Sequence, residues 1–283
     1  MTLRIGWFST GRGEGSRRLL GAAVEAIRRG DLDAEIAFVF CNRERGEYEA
    51  TDAFLDLVAS FGIPCLTLSS RRFRRERSGA LSRPGEPLPA WRAEYDREVA
   101  QLVARSASDG FDVGMLAGYM LVFTSEMSGR YPLLNLHPAE PGGPVGTWQE
   151  VTWQLIDTRA EKSGVMIHLA TDELDGGPVV AHCRYSLRGP SFAPLWAALG
   201  SRSAAEVRES DGEDNALFRE IRRHGSAREL PFVVETLRAF ATARLRIERG
   251  RVVDTDGREL PGGLDLTAEI DAVVAGELEG ARS

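Results

Sequence analysis

Two polar residues at the end of an apolar run are the first candidates for chemistry in this sequence. Asn135 and His137 stand two positions apart in the segment Leu134-Asn135-Leu136-His137-Pro138. Side chains at this spacing on a β-strand point to the same face, so the amide and the imidazole can face one pocket. Asp175 is a third candidate, because it follows a second apolar run at 164–170. These three side chains suit a reaction that moves a proton while negative charge develops on an oxygen.

The elements that must position these residues alternate between strand and helix. Strands are predicted over seven apolar runs, at 3–8, 36–41, 65–68, 113–117, 133–136, 164–170 and 178–185, the last of which would end the sheet. Helices are predicted after the first two strands and at 90–107, 123–128 and 147–158. The alternation predicts an α/β fold with an open, mostly parallel, twisted sheet and a Rossmann-like N-terminal half.

Segments without apolar periodicity are predicted to be loops. They lie at 69–89, 188–200 and 206–215. The arginine-rich run 71–77 within the first of them is typical of a solvated, mobile loop, with contact to a phosphate or an acidic cofactor as the alternative. Near the C-terminus, helices are predicted at 217–221 and 230–243, followed by a hairpin with a turn at 254–257.

Composition excludes several classes of protein. The 283 residues carry a net charge of -7, which argues against a nucleic-acid-binding protein with a broad cationic face. Cys41, Cys65 and Cys183 are far apart in apolar contexts and are expected to be buried free thiols in a reducing compartment. The four histidines are scattered, so no metal is expected. Without a signal or membrane-spanning pattern, we expect a cytoplasmic protein with no membrane partner.

A glycine loop follows the first predicted strand and precedes a helix. Gly11, Gly13 and Gly15 would let backbone N–H groups approach an anion at the helix N-terminus. The expected contacts come from the whole loop: Thr10, Gly11, Arg12, Gly13, Gly15 and Ser16. The pattern matches neither a phosphate-loop nor a strict dinucleotide motif, and simple turn geometry is the alternative to a phosphate ligand. Because Cys41, Asn42 and Arg43 end the second strand, a nicotinamide dehydrogenase is disfavoured.

With these motifs in order, the chain resembles the folate-dependent formyltransferases, and among them most closely the branch that acts on glycinamide ribonucleotide. The most specific motifs are Leu133-Leu134-Asn135-Leu136-His137-Pro138 and the segment 171–179. The resemblance implies that Asn135, His137 and Asp175 are catalytic and that the formyl donor is 10-formyltetrahydrofolate. It also implies a folate cleft formed by eight residues: Tyr119, Met120, Leu121, Val122, Ala170, Thr171, Asp172 and Asp175.

The resemblance further implies one formyltransferase domain over 1–283. Its parts would be a Rossmann-like half at 1–117 that includes the insertion 69–89, a catalytic and folate-binding half at 118–186, and an insertion with a C-terminal extension at 187–283. We expect a monomer or homodimer that acts on a small, phosphorylated amine. Glycinamide ribonucleotide is the leading acceptor, and another small amine is the alternative.

Departures from the family pattern concentrate on the acceptor side. The loop after Pro138 usually reads Ser-Leu-Leu-Pro in the family but here runs from Ala139 to Gly146. Ser226 stands where an acidic residue usually serves the acceptor, with Glu229 nearby, and Leu121 replaces a common arginine. The sequence leaves open whether His168 and Glu229 contribute to the site and which role the insertions at 69–89 and 188–223 have. Two further hypotheses are a 10-formyltetrahydrofolate hydrolase, although its usual N-terminal regulatory domain is not expected here, and a noncatalytic folate- or nucleotide-binding protein.

Overall fold

A central sheet organises the structure, a computed structural model that describes residues 2–83, 86–171 and 175–280. Its eight strands are β1 (Leu3–Ser9), β2 (Ala34–Cys41), β3 (Cys65–Thr67), β4 (Val113–Leu116), β5 (Leu133–His137), β6 (Lys162–Leu169), β7 (Val179–Ser186) and β10 (Leu264–Asp265). A separate hairpin consists of β8 (Arg246–Glu248) and β9 (Arg251–Val253). The order across the large sheet is β10-β7-β6-β5-β4-β1-β2-β3. Only β6 runs antiparallel to its neighbours, which confirms the open, mostly parallel sheet.

Helices connect and flank the strands. They are α1 (Glu14–Arg28), α2 (Glu49–Ser60), α3 (Ser70–Glu76), α4 (Trp91–Ser106), α5 (Ser125–Ser128), α6 (Trp148–Asp157), α7 (Ala193–Leu199), α8 (Ala204–Ser210), α9 (Ala216–Ala241) and α10 (Thr267–Gly280). Strand β4 is buried along its whole length, as expected for a central strand covered on both faces. Helix α6 begins with a capping box, in which Thr147 and Glu150 satisfy each other's backbone N–H groups.

The direction of β6 changes how the site is assembled. Because β6 is antiparallel to β5, Leu169 pairs with Leu134 and Ala170 N–H donates to the Leu133 carbonyl at 2.7 Å. The connection after β6 therefore starts beside the beginning of β5, whereas His137 stands at its end, roughly 13 Å away at 3.3 Å per residue. Asp175 must therefore be placed over the face of the sheet, toward the end of β5, to meet His137.

Several predicted loops are helical. The arginine-rich run 71–77, expected to be a mobile loop, lies mostly in α3, which Ser69 caps and whose Phe73 is buried. Segment 188–200 contains α7, and segment 206–215 includes the second part of α8; both helices pack with α6 around Trp153 and Phe218. Periodicity missed these helices because each spans only seven residues, too few for two full repeats of an apolar stripe.

The C-terminal part also differs from the prediction. The two helices expected at 217–221 and 230–243 are one 26-residue helix, α9, which continues through Pro231. The predicted turn at Asp254–Gly257 is present and brings Val253 and Glu259 into an antiparallel bridge. The hairpin of β8 and β9 lies before it and turns at Arg249 and Gly250, both with positive φ. Strand β7 does not end the sheet, because β10 pairs with it in parallel. Cys65 is exposed rather than buried, because β3 is an edge strand.

Candidate active site

Asn135, His137 and His168 lie together on β5 and β6. Asn135 stands directly opposite His168 in the antiparallel pair, so their side chains share one face of the sheet. The Asn135 Nδ2 atom lies 3.0 Å from His168 Nε2. His168 Nδ1 donates to the Leu169 carbonyl oxygen at 2.9 Å, which directs Nε2 toward Asn135.

His137 is buried and both of its ring nitrogens face acceptors. Its Nε2 donates to the Pro144 carbonyl at 2.9 Å, and its Nδ1 lies 3.4 Å from Asp175 Oδ2. An imidazole can donate to two acceptors at once only when both ring nitrogens carry a hydrogen, as they do in the protonated ring. The site can therefore accommodate a positively charged ring beside a carboxylate.

Asp175 reaches all three of these side chains. Its Oδ1 lies 3.4 Å from Asn135 Nδ2 and 3.5 Å from His168 Nε2, and Oδ2 accepts from Gly146 N–H at 3.4 Å. Its backbone has a φ of +54°, in the left-handed region that Asp tolerates better than most residues. Two residues on, a side chain at Gly177 would overlap the Leu169 carbonyl oxygen, so glycine lets this turn pack against β6.

The pKa of Asp175 lies below its ordinary value. Burial is the largest influence and raises the pKa, but a hydrogen bond from His168, the positive charges of His137 and His168, and the Gly146 N–H together outweigh it. Asp175 therefore stays ionised at neutral pH and can stabilise a charged imidazole.

The glycine loop lies at the carboxyl end of β1, beside the turn after β4. Thr10 N–H donates to the Gly118 carbonyl at 3.0 Å, and Thr10 Oγ1 accepts from Met120 N–H at 2.9 Å. Gly13 caps α1 without a side-chain hydrogen bond, and Gly13 and Gly15 border open space.

The remaining loop residues occupy different environments. Arg12 is exposed, whereas Gly11 and Ser16 are buried. Gly11 packs against Phe54, and Ser16 Oγ occupies the space that a side chain at Gly118 would need.

Of the residues predicted to contact the folate, some lie in the hydrophobic core and others line a cavity. Tyr119 is buried, and its ring stacks on Phe123. Met120 is exposed, and Met120, Leu121 and Val122 line a cavity of about 700 Å³. Ala170 and Thr171 are half-buried after β6, and Asp172 lies outside the described residues.

Three contacts at the site escaped sequence reasoning. Pro144 binds His137 and Gly146 binds Asp175 through backbone atoms, which residue type does not reveal. The third contact is that of His168, whose contribution to the site the sequence left open. The concentration of glycine and proline at 141–146 is the one signal that this loop approaches other backbone closely.

Glu229, the other residue whose contribution the sequence left undecided, forms an ion pair with Arg222. Ser226 donates to the Arg223 carbonyl. No group of His, Cys, Asp or Glu within the described ranges is arranged to hold a metal ion. None of the described helices is both long and apolar enough to cross a membrane.

Known proteins share this sequence pattern and fold. Phosphoribosylglycinamide formyltransferase of Escherichia coli K12 is 30% identical over 177 residues, which cover 61% of this chain and 68% of that protein. The phosphoribosylglycinamide formyltransferase structure from Coxiella burnetii superposes with a TM-score of 0.64 at 19% identity, covering 94% of this chain and 99% of that one. A formyltetrahydrofolate deformylase from Pseudomonas syringae gives a TM-score of 0.58 at 18% identity, covering 90% and 66%. At these identities the structural matches establish the fold alone.

The family comparison covers the strands that carry the site. The formyl transferase model matches residues 11–187, a range that begins in the glycine loop and ends after β7. Asn135, His137 and Asp175 all fall within it. The chain therefore belongs to the formyl transferase family.

Proposed function

We propose that this protein transfers the formyl group of 10-formyltetrahydrofolate to the amine of glycinamide ribonucleotide. The observation that carries the proposal is the group of Asn135, His137 and Asp175, in which Asp175 lies 3.4 Å from each of the other two. Relatives named phosphoribosylglycinamide formyltransferase support this choice of acceptor.

Asn135 and His137 would stabilise the negative charge that develops on the formyl oxygen as the amine attacks. Each of them holds another acceptor in this structure. The Asn135–Asp175 distance of 3.4 Å is long for an N–H···O bond, so this amide hydrogen is readily given to a substrate oxygen. His137 Nε2 must exchange the Pro144 carbonyl for the same oxygen.

Asp175 would support the charged form of His137 and order a water molecule for proton transfer. Its lowered pKa keeps it ionised, and Oδ2 faces His137 Nδ1. The proton lost by the attacking amine would pass through this water to the nitrogen that leaves.

The cavity beside Met120, Leu121 and Val122 fits the donor. Arg71, Arg74 and Arg92 also line it, and none of their guanidinium groups lies within 4.0 Å of a carboxylate oxygen in the described part of the chain. Arg92 is buried and donates to the Val122 carbonyl, and its Nε has no partner among the described residues. A folate carries carboxylates on its glutamate end, so we place that end beside these arginines.

The glycine loop would bind the phosphate of the acceptor. The N-terminus of α1 presents backbone N–H groups there, beside the exposed Arg12. Strands β1 and β5 flank β4, so the loop and His137 are separated by two strand spacings, roughly 10 Å. A phosphorylated small amine can span that distance.

The test is turnover of 10-formyltetrahydrofolate with and without glycinamide ribonucleotide. We expect turnover only when the acceptor is present, with one formylated product per donor consumed. Turnover by water alone would instead support a hydrolase, and turnover that requires another amine would exclude this acceptor. Donor binding without any turnover would support a noncatalytic protein.

A further inference from the structure

Glu140 is a largely buried carboxylate in the loop that follows His137. It accepts a hydrogen bond from Arg184 Nε at 2.9 Å and lies 3.2 Å from Lys162 Nζ. Arg184 belongs to β7 and Lys162 to β6, so two strands bind one loop residue. Glu140 belongs to the segment in which this chain departs from the family pattern.

The sheet is shaped to receive Glu140. A side chain at Gly164 of β6 would overlap the Cys183 carbonyl oxygen on β7 and would come within 2.9 Å of the Glu140 Cβ atom and 3.2 Å of the Glu140 Cα atom. Glycine at this position lets the loop backbone lie directly against the strand. The ion pair and the backbone contact therefore fix the same residue from two sides.

A tight turn links Glu140 to the active site. Gly143 N–H donates to the Glu140 carbonyl at 2.9 Å, with Pro141 and Gly142 as the central residues and Gly142 at a φ of +75°, as a type II turn requires. The next residue, Pro144, accepts from His137 Nε2, and Gly146 donates to Asp175. The anchored turn thus leads directly to both loop groups that hold the catalytic side chains.

We propose that Glu140 is a positioning residue, which holds the loop 138–147 so that Pro144 and Asp175 align His137 before the substrate oxygen takes the place of the Pro144 carbonyl. The loop contains Gly142, Gly143 and Gly146, and glycine loses more conformational freedom on ordering than any other residue. Ala139 is fully buried and Gln154 Nε2 donates to the Val145 carbonyl at 3.0 Å, so the ion pair of Glu140 fixes the part of the loop between these two contacts. The effect on rate rests on the proposed function, whereas the effect on the imidazole does not.

The test compares Glu140→Ala and Glu140→Gln with a matched control, Glu235→Ala. Glu235 is 15% exposed and pairs with Arg238, which is 38% exposed, and the corresponding values for Glu140 and Arg184 are 14% and 38%. We expect Glu140→Ala to lower kcat by roughly 10- to 100-fold with both KM values nearly unchanged, because misplacing a catalytic group slows the reaction without weakening binding. Glu140→Gln keeps an acceptor for Arg184 and should recover most of the rate, and Glu235→Ala should behave as wild type.

A second readout uses the ring nitrogens of ¹⁵N-labelled histidine in the unliganded protein, with His137→Gln to assign the signal. We expect the His137 Nε2–H signal to be present in wild type, Glu140→Gln and Glu235→Ala and to be lost by exchange in Glu140→Ala. If Glu140→Ala does not fold, Glu140→Asp takes its place, because the shorter side chain withdraws the carboxylate while keeping its charge. An unchanged His137 signal and kcat in the variant used would overturn the proposal. If the wild-type protein transfers no formyl group, the proposed function fails, and the His137 signal alone then tests whether Glu140 positions the loop.

Discussion

At the scale of single residues, the site depends on buried polar groups that satisfy one another. Asn135, His137, His168 and Asp175 each face at least one of the others across 3.0–3.5 Å. A buried polar group without a partner is costly, so this arrangement holds the side chains in position before any ligand arrives. Removing one member should therefore slow the reaction and also leave a partner without its hydrogen bond.

Replacement of Asn135 by Ala should lower kcat by about a hundredfold, equivalent to roughly 3 kcal/mol, because one donor to the developing oxyanion is lost. His137→Ala and Asp175→Ala should abolish transfer while leaving donor binding largely intact. Steady-state kinetics and a direct binding titration with the folate check these expectations. Wild-type rates in the His137 or Asp175 variant would rule out the mechanism.

Asp96 gives a prediction about pH. Burial raises the pKa of this fully buried carboxyl from 3.8 to about 6, against the Thr124 N–H bond and the charge of Arg92. The folded protein then holds the proton more tightly than the unfolded chain, so the stability that Asp96 contributes is present below about pH 4 and is lost as pH rises through 6.

Asp96→Asn stays neutral at every pH and should match wild type at low pH. Near pH 8 it should be more stable by about 3 kcal/mol, since each pKa unit corresponds to about 1.4 kcal/mol. Urea unfolding across this pH range measures the difference. A stability difference that does not change with pH would contradict the assignment.

At the scale of elements, helix α6 connects a capping interaction to the site. Thr147 caps α6 and directly follows Gly146, whose N–H donates to Asp175. Glu150, the other member of the capping box, fills the space beside Gly146. The start of this helix therefore sets one of the contacts of the Asp175 carboxylate.

Thr147→Ala should destabilise the protein by about 1 kcal/mol and also lower kcat, because the cap and the Gly146 position change together. Ser203→Ala in α8 is the matched control, since Ser203 and Glu206 form the same capping box in a helix outside the site. We expect a similar loss of stability there without a loss of rate. Equal kinetic effects from both variants would show that α6 has no particular influence on the site.

Apolar periodicity predicted most of the long elements, but it missed the seven-residue helices α3, α7 and α8. The 16 residues of α4 carry several turns of apolar periodicity, whereas the seven residues of α3 carry fewer than two. Helix α9 was predicted as two helices with Pro231 in the opening turn of the second, yet the helix continues through this proline, and Phe232, Val233 and Leu237 beyond it are buried in the main core. Tertiary packing outweighed the local preference of that proline.

At the scale of the whole molecule, residues beyond the family match complete the core. Leu266, Ile270 and Val274 are buried in the main hydrophobic cluster, and α10 packs against α9. Strand β10 extends the sheet beside β7. The C-terminal extension therefore contributes to the stability of the sheet that carries the site.

Ile270→Ala should cost about 2–5 kcal/mol of unfolding free energy, as deletion of a buried aliphatic side chain usually does, with kcat unchanged. Val273→Ala on the same helix is the control, because this side chain is 49% exposed and should cost little. Urea unfolding compares the two. A loss of stability no larger than that of the control would show that α10 does not contribute to the core.

The sequence by itself determined which segments along the chain form the main strands, because apolar periodicity is a local property of a chain. Its motif spacing likewise indicated the family and Asn135, His137 and Asp175 as candidate site residues. The tertiary structure decided which groups these residues meet. The antiparallel direction of β6 brings His168 opposite Asn135, and Asp175 returns across the sheet to His137. Pro144 and Gly146 act through backbone atoms, and Glu140 binds cations 22 and 44 residues away. Long-range pairing and backbone contacts leave no periodic trace in a sequence, so only the fold could reveal them.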